Sequence, residues 1–212
     1  MKLIEKTLIE FSKDVDSDLP APGGGSVAAY VSNLGVALAR MMGHLTISKK
    51  AFKELDDSSK EKFNNTFNKL EDYYQKLLMM VDEDTVAFNK IMASFKLPKD
   101  TDEEKEVRSK AIQDATLEAT IAPFEATKLA YEALLIVPEL IDNGNVNAIS
   151  DLGSAIYLLE AGMNCSILNV KINASGLKDK DKAQEFNDKC HEMQKNARHL
   201  VEENILKISN LM

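Results

Sequence analysis

The sequence predicts an all-α fold, a single-domain bundle of long up-and-down helices that takes in residues 1–212. Residues 63–95 contain neither glycine nor proline, and their apolar side chains recur at alternating steps of four and three, the period of one helix face. Several further long helical patterns are separated by short breakers, and no run alternates with the period of a strand. We therefore expect one helical domain without a sheet.

The composition limits the classes of function. A chain of 212 residues with 44% hydrophobic residues is long enough to bury a substantial core. Its formal net charge of −8 argues against nucleic-acid binding, which usually needs a basic surface. The most apolar segment, 27–46, contains Asn33, Arg40 and His44 and is a poor membrane span, and residues 1–11 form a short amphipathic helix without a signal-peptide core. We expect a soluble cytoplasmic protein that binds neither nucleic acid nor membrane.

The cysteines and histidines do not indicate a disulfide framework or a metal site. Cys165 and Cys190 lie within apolar helical stripes, so we interpret them as reduced core residues. His44, His191 and His199 are not spaced as ligands on one helix face, and the cysteines form no paired motif. We expect no metal and no permanently bound cofactor.

The apolar line along residues 63–95 has one charged member. Its positions are Phe63, Phe67, Leu70, Tyr74, Leu77, Val81, Asp84, Phe88, Ile91 and Phe95. A carboxylate on such a line is shielded from water, and burying it without a partner is costly. Asp84 is therefore either held by donors from another helix, which fixes helix register, or placed in a cavity where a ligand meets it. Asp82 lies about 200° around the helix and is interpreted as a solvated or rim charge.

A proline- and glycine-rich segment, residues 20–26, precedes the next helical pattern. Its glycines allow close backbone contact, and Ser26 is a suitable N-cap for a helix over 27–47. Backbone N–H groups at a helix start favour an acidic ligand or a polar heterocycle edge, although a tight turn into a closely packed helix explains the same spacing. The segment is neither a P-loop nor a dinucleotide fingerprint, because the lysine and the strand that these motifs need are missing.

The helix over 27–47 has a strip of small residues, which predicts a buried central helix and a crossing with a partner subunit. The strip consists of Ala28, Ser32, Gly35, Ala39 and Gly43. Lys49 and Lys50 follow its carboxyl end, where cations complement the helix dipole.

Other signals set the remaining boundaries. Pro98 ends the long helix, Thr101 and Glu104 form a capping box for the next one, and Pro123 predicts a kink within it. Ser150 is a suitable N-cap for a further helix that starts at Asp151, where an acidic residue in the first turn is favourable in any case.

Five stretches in order along the chain resemble the cyclodeaminase part of formiminotransferase-cyclodeaminase and its free-standing bacterial relatives. They are residues 20–29, 81–88, 97–99, 144–152 and 169–173. The resemblance implies an all-helical domain, usually a homodimer, that converts 5-formiminotetrahydrofolate to 5,10-methenyltetrahydrofolate and ammonia. In this family the second aspartate of the Asp-x-Asp pair is the proposed catalytic residue, and it corresponds to Asp84.

The resemblance also implies a set of substrate-binding residues. They are Gly23, Gly24, Gly25 and Ser26 as backbone donors, Asp151, Asn169 and Asn173 at the pterin edge, Lys49 or Lys50 at the glutamate tail, and in addition Asp82 and Asn145. A tetrahydrofolate derivative is then the substrate.

The chain departs from the family at Ser48, where a glycine is frequent, which affects how this corner holds the folate tail. It also lacks a formiminotransferase domain, so a separate formiminotransferase is an expected partner. Two alternatives stay open: a methenyltetrahydrofolate cyclohydrolase, in which water adds to the methenyl carbon in the same pocket, and a non-catalytic helical folate-binding or interaction module.

Overall fold

A computed structural model describes residues 2–212, and these residues form α-helices and short 3-10 turns without a strand. The α-helices are α1 (Leu8–Val15), α2 (Gly24–Ile47), α3 (Lys50–Lys53), α4 (Asp57–Ser94), α5 (Asp102–Ile136), α6 (Ile149–Ser175) and α7 (Lys180–Ser209), and the 3-10 turns are Leu3–Glu5, Val137–Leu140 and Val146–Ala148. The predicted all-α class is confirmed.

Contacts between helices show the up-and-down order. Near the start of α2, Ser26 contacts Asp84 in the second half of α4, whereas Arg40 near its end donates to the Phe67 carbonyl in the first half of α4, at 3.0 Å. The Asn173 side-chain amide, near the end of α6, donates to the Ala119 carbonyl in the middle of α5, at 2.6 Å. The four helices α2, α4, α5 and α6 form a ring, and α7 packs outside it on α5 and α6.

The small residues of α2 are used for packing within the chain. A Cβ at Gly35 would lie 2.9 Å from the Ala155 carbonyl oxygen, and a Cβ at Gly162 would overlap Ser32 Oγ and lie 2.8 Å from the Ala28 carbonyl oxygen. The backbones of α2 and α6 therefore approach so closely that only small residues fit between them. The strip is buried in the protomer, so any surface of α2 that meets a partner has to be a different face.

Two predicted N-caps are wrong. Gly23, not Ser26, caps α2, because the helix already begins at Gly24, and Ser26 is buried in its first turn. Likewise α6 begins at Ile149 after a 3-10 turn, so Ser150 lies inside the helix and its backbone carbonyl accepts a hydrogen bond from Ser154 Oγ. In both places the preceding chain geometry brought the helix start forward by two or three residues.

The beginning of α5 matches the sequence pattern. Thr101 Oγ accepts from the Glu104 backbone N–H at 3.2 Å, and the Glu104 carboxylate accepts from the Thr101 N–H at 3.1 Å, which is the predicted capping box. The helix continues through Pro123, whose carbonyl accepts from Thr127 Oγ at 2.9 Å.

Three smaller predictions are corrected. The amino terminus is a 3-10 turn followed by α1, because Thr7 caps a new helix, rather than one helix over residues 1–11. Cys190 is buried as expected, but Cys165 is exposed because it lies on the outer side of α6. Phe95 is 49% exposed because α4 ends at Ser94.

None of the helices within residues 2–212 combines the length and the apolar character that a membrane crossing needs. The cytoplasmic location stays a prediction.

Candidate active site

Asp84 lies in a cavity of about 270 Å³ where the start of α2 meets α4, α5 and α6. The cavity is lined by Pro20, Ala21, Gly23, Gly24, Gly25, Asp84, Phe88, Ala119, Asn169, Ile172 and Asn173. Asp84 is the only ionisable side chain among these lining residues. Both placements that the sequence allowed for Asp84 occur: it accepts a hydrogen bond from Ser26 of α2, and it lines a cavity.

Gly25 leaves the space that the Asp84 carboxylate occupies. A Cβ at Gly25 would lie 2.6 Å from Asp84 Oδ2 and closer still to Oδ1, so a side chain at this position would overlap the carboxylate. The first turn of a helix also carries N–H groups without intrahelical partners and the positive end of the helix dipole. The glycine thus lets a negative group approach the one part of α2 that favours it.

Two opposing effects act on the pKa of Asp84. Burial against the apolar seam disfavours the charged form and is the larger effect, so the pKa of Asp84 is raised above its ordinary value. Hydrogen bonds from the Ser26 side chain and backbone lower it in part. Ser26 Oγ lies 3.3 Å from Asp84 Oδ2 and 3.1 Å from Thr85 Oγ1. The result is a carboxylate that holds a proton more readily than an exposed aspartate does.

Two asparagines of α6 supply the other polar groups of the cavity. The Asn169 side-chain amide donates to the Cys165 carbonyl at 2.9 Å, and that of Asn173 donates to the Ala119 carbonyl. Each carboxamide thus keeps its oxygen and a second N–H for a ligand. Asn169 also lies against Gly24, where a Cβ would be 3.2 Å from its side-chain nitrogen.

Asp82 belongs to a different region. Its Oδ1 accepts from the Leu3 backbone N–H at 2.5 Å, and it lines a separate cavity of about 470 Å³ between α4, α5 and the amino-terminal turn. Asp82 therefore points away from Asp84, as its position on the helix predicts. It is half-buried and hydrogen-bonded, however, and it fastens residues 3–5 to α4.

The remaining predicted substrate-binding residues lie at the opposite end of α2 and α6. Lys49 and Lys50 follow the last turn of α2, about 35 Å from Gly25, because 24 helical residues at about 1.5 Å each span that distance. Asn145 is held in a turn, where its backbone N–H donates to Thr46 Oγ1 at 2.9 Å and its side chain accepts from the Asn147 N–H. Asp151 lies in the first turn of α6. Within one protomer these four residues do not reach the cavity.

The structure adds residues that sequence patterns missed. Ile172 lines the cavity although it is 68% exposed, and Thr85 touches Ser26 beside the carboxylate. Phe88 was on the apolar line, which gave a signal for it, whereas the relevant face of Ile172 depends on how α6 is rotated against α2. Within residues 2–212 there is no group of three or more metal-binding side chains.

Comparison with known proteins supports the resemblance. Residues 7–192 match the formiminotransferase-cyclodeaminase family. A methenyltetrahydrofolate cyclohydrolase of Methylorubrum extorquens is 36% identical over 180 residues, 85% of each chain. The formimidoyltransferase-cyclodeaminase of Rattus norvegicus is 34% identical over 177 residues, which are 84% of this chain and 32% of that protein. The chain thus spans about a third of the length of the animal relatives that it matches.

The fold has a counterpart among solved structures. The crystal structure of formiminotetrahydrofolate cyclodeaminase from Thermotoga maritima superposes with a TM-score of 0.75 and covers 97% of this chain and 95% of that one. The sequence identity is 24%, so this likeness demonstrates the shared fold.

Proposed function

The chain belongs to the formiminotransferase-cyclodeaminase family, and from this premise we propose that it is an enzyme, a formiminotetrahydrofolate cyclodeaminase. Its reaction closes the ring of 5-formiminotetrahydrofolate to 5,10-methenyltetrahydrofolate and releases ammonia. One observation carries this proposal: the Asp84 carboxylate is buried at the start of α2, in a cavity whose other polar side chains are Asn169 and Asn173.

Asp84 suits the proton transfers of this reaction. Nitrogen 10 of the folate loses a proton as it attacks the formimino carbon, and the departing amino group gains one. One carboxylate within reach of both nitrogens accepts the first proton and returns it to the leaving group. A raised pKa makes the protonated state of Asp84, which the second transfer needs, more accessible than that of an exposed aspartate.

The surroundings of Asp84 support the same assignment. A carboxylate in a water-poor site stabilises the positive charge of the methenyl product more strongly than one in bulk water. The backbone N–H groups of Gly24 and Gly25, in the first turn of α2, are suitable donors for a polar heterocycle edge. Asn169 and Asn173 add donors and acceptors on the facing side of the cavity.

A methenyltetrahydrofolate cyclohydrolase is the second candidate, and the relative of that name with 36% identity favours it. In this reaction water adds to the methenyl carbon and loses both of its protons. The bond from that carbon to nitrogen 5 breaks, nitrogen 5 takes up one proton, the other is released, and the formyl group stays on nitrogen 10. The same carboxylate serves as the base. The relatives named formimidoyltransferase-cyclodeaminase support a formiminotransferase as the partner that we propose for the cyclodeaminase.

Incubation with each folate distinguishes the candidates. A cyclodeaminase releases ammonia from 5-formiminotetrahydrofolate while the absorbance of the methenyl product rises. A cyclohydrolase consumes that absorbance when it is given 5,10-methenyltetrahydrofolate and water, and it releases no ammonia. A protein that leaves both substrates unchanged and binds no reduced folate by calorimetry is the third alternative, a non-catalytic helical module. The Asp84→Asn variant is the control for each assay.

A further inference from the structure

Most of the longer helices of this chain begin with a side-chain cap of the same kind. The first N–H groups of an α-helix have no partner within the helix, and a side chain at the N-cap position commonly accepts one of them. In four helices that acceptor takes the N–H of the third helical residue. The pairs are Thr7 and Glu10 at 3.2 Å in α1, Asp56 and Ser59 at 3.0 Å in α4, Thr101 and Glu104 at 3.2 Å in α5, and Asp179 and Lys182 at 2.9 Å in α7.

The start of α2 differs from these four. Gly23 occupies its N-cap position and has no side chain that could accept a hydrogen bond. The first bond within the helix runs from the Val27 N–H to the Gly23 carbonyl, at 3.1 Å, so the N–H groups of residues 24–26 have no partner inside α2. The third helical residue, which donates to the cap in the other four helices, is Ser26.

A carboxylate from another helix occupies the place of the missing cap. Asp84 of α4 lies against the first turn of α2, where a Cβ at Gly25 would be 2.6 Å from its Oδ2. It accepts hydrogen bonds from the Ser26 side chain and from the Ser26 backbone N–H. Asp84 thus takes the same N–H group that Thr101 takes at the start of α5. In position and in partner it is the cap of α2, supplied by α4.

Neither the backbone nor the available space requires a glycine at position 23. Its φ of −124° and ψ of −159° are extended, like the φ of −100° and ψ of 166° at the cap residue Thr101. A Cβ at Gly23 would meet the Pro20 carbonyl oxygen at 3.8 Å, an ordinary contact, whereas a Cβ at Gly25 would overlap Asp84. The absence of a side chain at Gly23 therefore has a different cause from the absence at Gly25.

We propose that Gly23 is a positioning residue: because it offers no side-chain acceptor, the Ser26 N–H stays available to Asp84, and one carboxylate both caps α2 and faces the cavity. A serine at position 23 would bring its hydroxyl to the Ser26 N–H, as Thr101 does in α5, and would compete with Asp84. The catalytic consequence of this competition rests on the proposed function, whereas the capping role does not.

Competition for the Ser26 N–H changes the proton affinity of Asp84. A hydrogen bond to the charged form of a carboxyl group lowers its pKa, so loss of this bond raises the pKa of Asp84 further. No other ionisable group lines the cavity to offset the change. The lining residues from the other elements are Pro20, Ala21, Gly23, Gly24 and Gly25 at the start of α2, Ala119 of α5, and Asn169, Ile172 and Asn173 of α6.

The same competition affects the stability of α2. A helix with a cap from its own chain segment keeps that cap when Asp84 takes up a proton or turns towards a ligand. A helix capped by Asp84 depends on the charge and the position of this one carboxylate. A glycine at position 23 thus gives up a local stabilisation in favour of the placement of Asp84, an exchange that is common at active sites.

A double-mutant cycle on stability tests the capping role without any folate. Gly23→Ser and Gly23→Ala differ by one hydroxyl group, and each is made in the wild-type and in the Asp84→Leu background. Leucine has the branched shape of aspartate but no acceptor. In the Asp84→Leu background the Tm of Gly23→Ser should exceed that of Gly23→Ala by about 2–4 °C, because only serine caps the helix. In the wild-type background the difference should be smaller, because Asp84 already holds the N–H.

The outcome of the cycle decides the capping role. Equal differences in the two backgrounds mean that Asp84 does not occupy the N–H that a cap would take, and they overturn the proposal. If Asp84→Leu does not fold, Asp84→Ala replaces it in the same cycle, since alanine also lacks an acceptor.

The pH dependence of the reaction tests the catalytic consequence. The acid limb of kcat/KM for Gly23→Ser should lie about 0.5–1 pH unit above that for Gly23→Ala, because one hydrogen bond to the charged Asp84 is lost. Gly23→Ala shows the effect of the added bulk alone. Titration of the Asp84 carboxyl signal by NMR should give the same displacement in the free protein. Coincident titrations of the two variants overturn the effect of Gly23 on Asp84.

The two tests separate the cap from the reaction. A protein that transforms no folate, but shows the expected Tm differences and the displaced titration of Asp84, keeps the role of Gly23 and overturns the proposed function. An active protein whose Tm differences are the same in both backgrounds keeps the proposed function and overturns the role of Gly23.

Discussion

Asp82 and Asp84 lie two residues apart on α4, yet the fold gives them opposite surroundings. Asp84 faces the start of α2 in a cavity, where burial raises its pKa and Ser26 is its hydrogen-bond partner. Asp82 faces the amino-terminal turn and accepts from the Leu3 backbone. The comparison shows that the surrounding helices, rather than the type of side chain, decide whether a carboxylate faces a cavity or fastens one segment to another.

The largest expected effect is the loss of turnover in Asp84→Asn. The amide keeps the size of the side chain but neither accepts nor returns a proton, so kcat should fall by roughly 10²-fold or more. Asp82→Asn is the matched control on the same helix and should lose far less activity. Near-normal turnover in Asp84→Asn, measured by ammonia release and methenyl absorbance, would make Asp84 a structural residue.

Gly25→Ala is expected to have the next largest effect on turnover. The new methyl group would occupy the position of the Asp84 carboxylate, which has to move away from the start of α2. We expect kcat to fall by about tenfold or more, since small displacements of a catalytic group are costly. Gly153→Ala is the control, because its Cβ would lie 3.4 Å from Ile208, an ordinary contact. Equal turnover in both alanine variants contradicts this role of Gly25.

Asp82→Asn should show its effect in stability. The variant replaces a carboxylate that accepts a backbone N–H by a neutral and weaker acceptor. Because the site is only half-buried, we expect the free energy of unfolding to fall by about 1 kcal/mol. Urea denaturation at pH 7 measures this change. A free energy of unfolding equal to that of wild type would mean that the hydrogen bond from the Leu3 N–H to Asp82 does not stabilise the fold.

Asp84→Asn should change stability in the opposite direction, and the change should depend on pH. The pKa of Asp84 is higher in the folded protein than in the unfolded chain. The free energy of unfolding therefore falls as pH rises from the unfolded-state pKa to the folded-state pKa. The Tm of the variant should therefore exceed that of wild type near pH 7, and the gain should disappear in acid. Thermal melts at several pH values measure it. A constant difference across pH contradicts the raised pKa.

Ser26→Ala should give the smallest effect, a displacement of the pH profile. The Ser26 hydroxyl hydrogen-bonds the charged form of Asp84 and lowers its pKa, so its removal raises that pKa further. The acid limb of kcat/KM should then move to higher pH while turnover on the plateau changes little. A profile that stays in place would exclude a contribution of Ser26 to the basicity of Asp84.

Sequence patterns predicted the helical class, the N-cap of α5 and the position of Asp84 as the one charged residue on an apolar line, because these features depend on neighbours within one helix. A 3.6-residue period, a capping box and one charged position on an apolar line are all local. The start of α2 was predicted three residues late, because Ser26 has the composition of a cap but is used against α4. The sequence alone does not distinguish a serine that caps its own helix from a serine that hydrogen-bonds a neighbouring helix.

The resemblance grouped Lys49, Lys50, Asn145 and Asp151 with the residues around Asp84, and no spacing rule contradicted that grouping. The antiparallel packing of α2 and α6 separates the two groups by the length of a helix. Cys165 and Ile172 illustrate the same limit. Both lie in an apolar stretch of α6, and only the rotation of that helix against α2 determines that they are exposed.

By itself the sequence determined which segments are helical and which carboxylate is out of place among apolar neighbours. Both follow from periodicity, since side chains three and four residues apart share a helix face wherever the helix lies. The tertiary structure decided that Gly25 admits the Asp84 carboxylate and that Asp82 holds the amino-terminal turn. These features depend on distances between residues far apart in the chain, which are fixed when the helices pack.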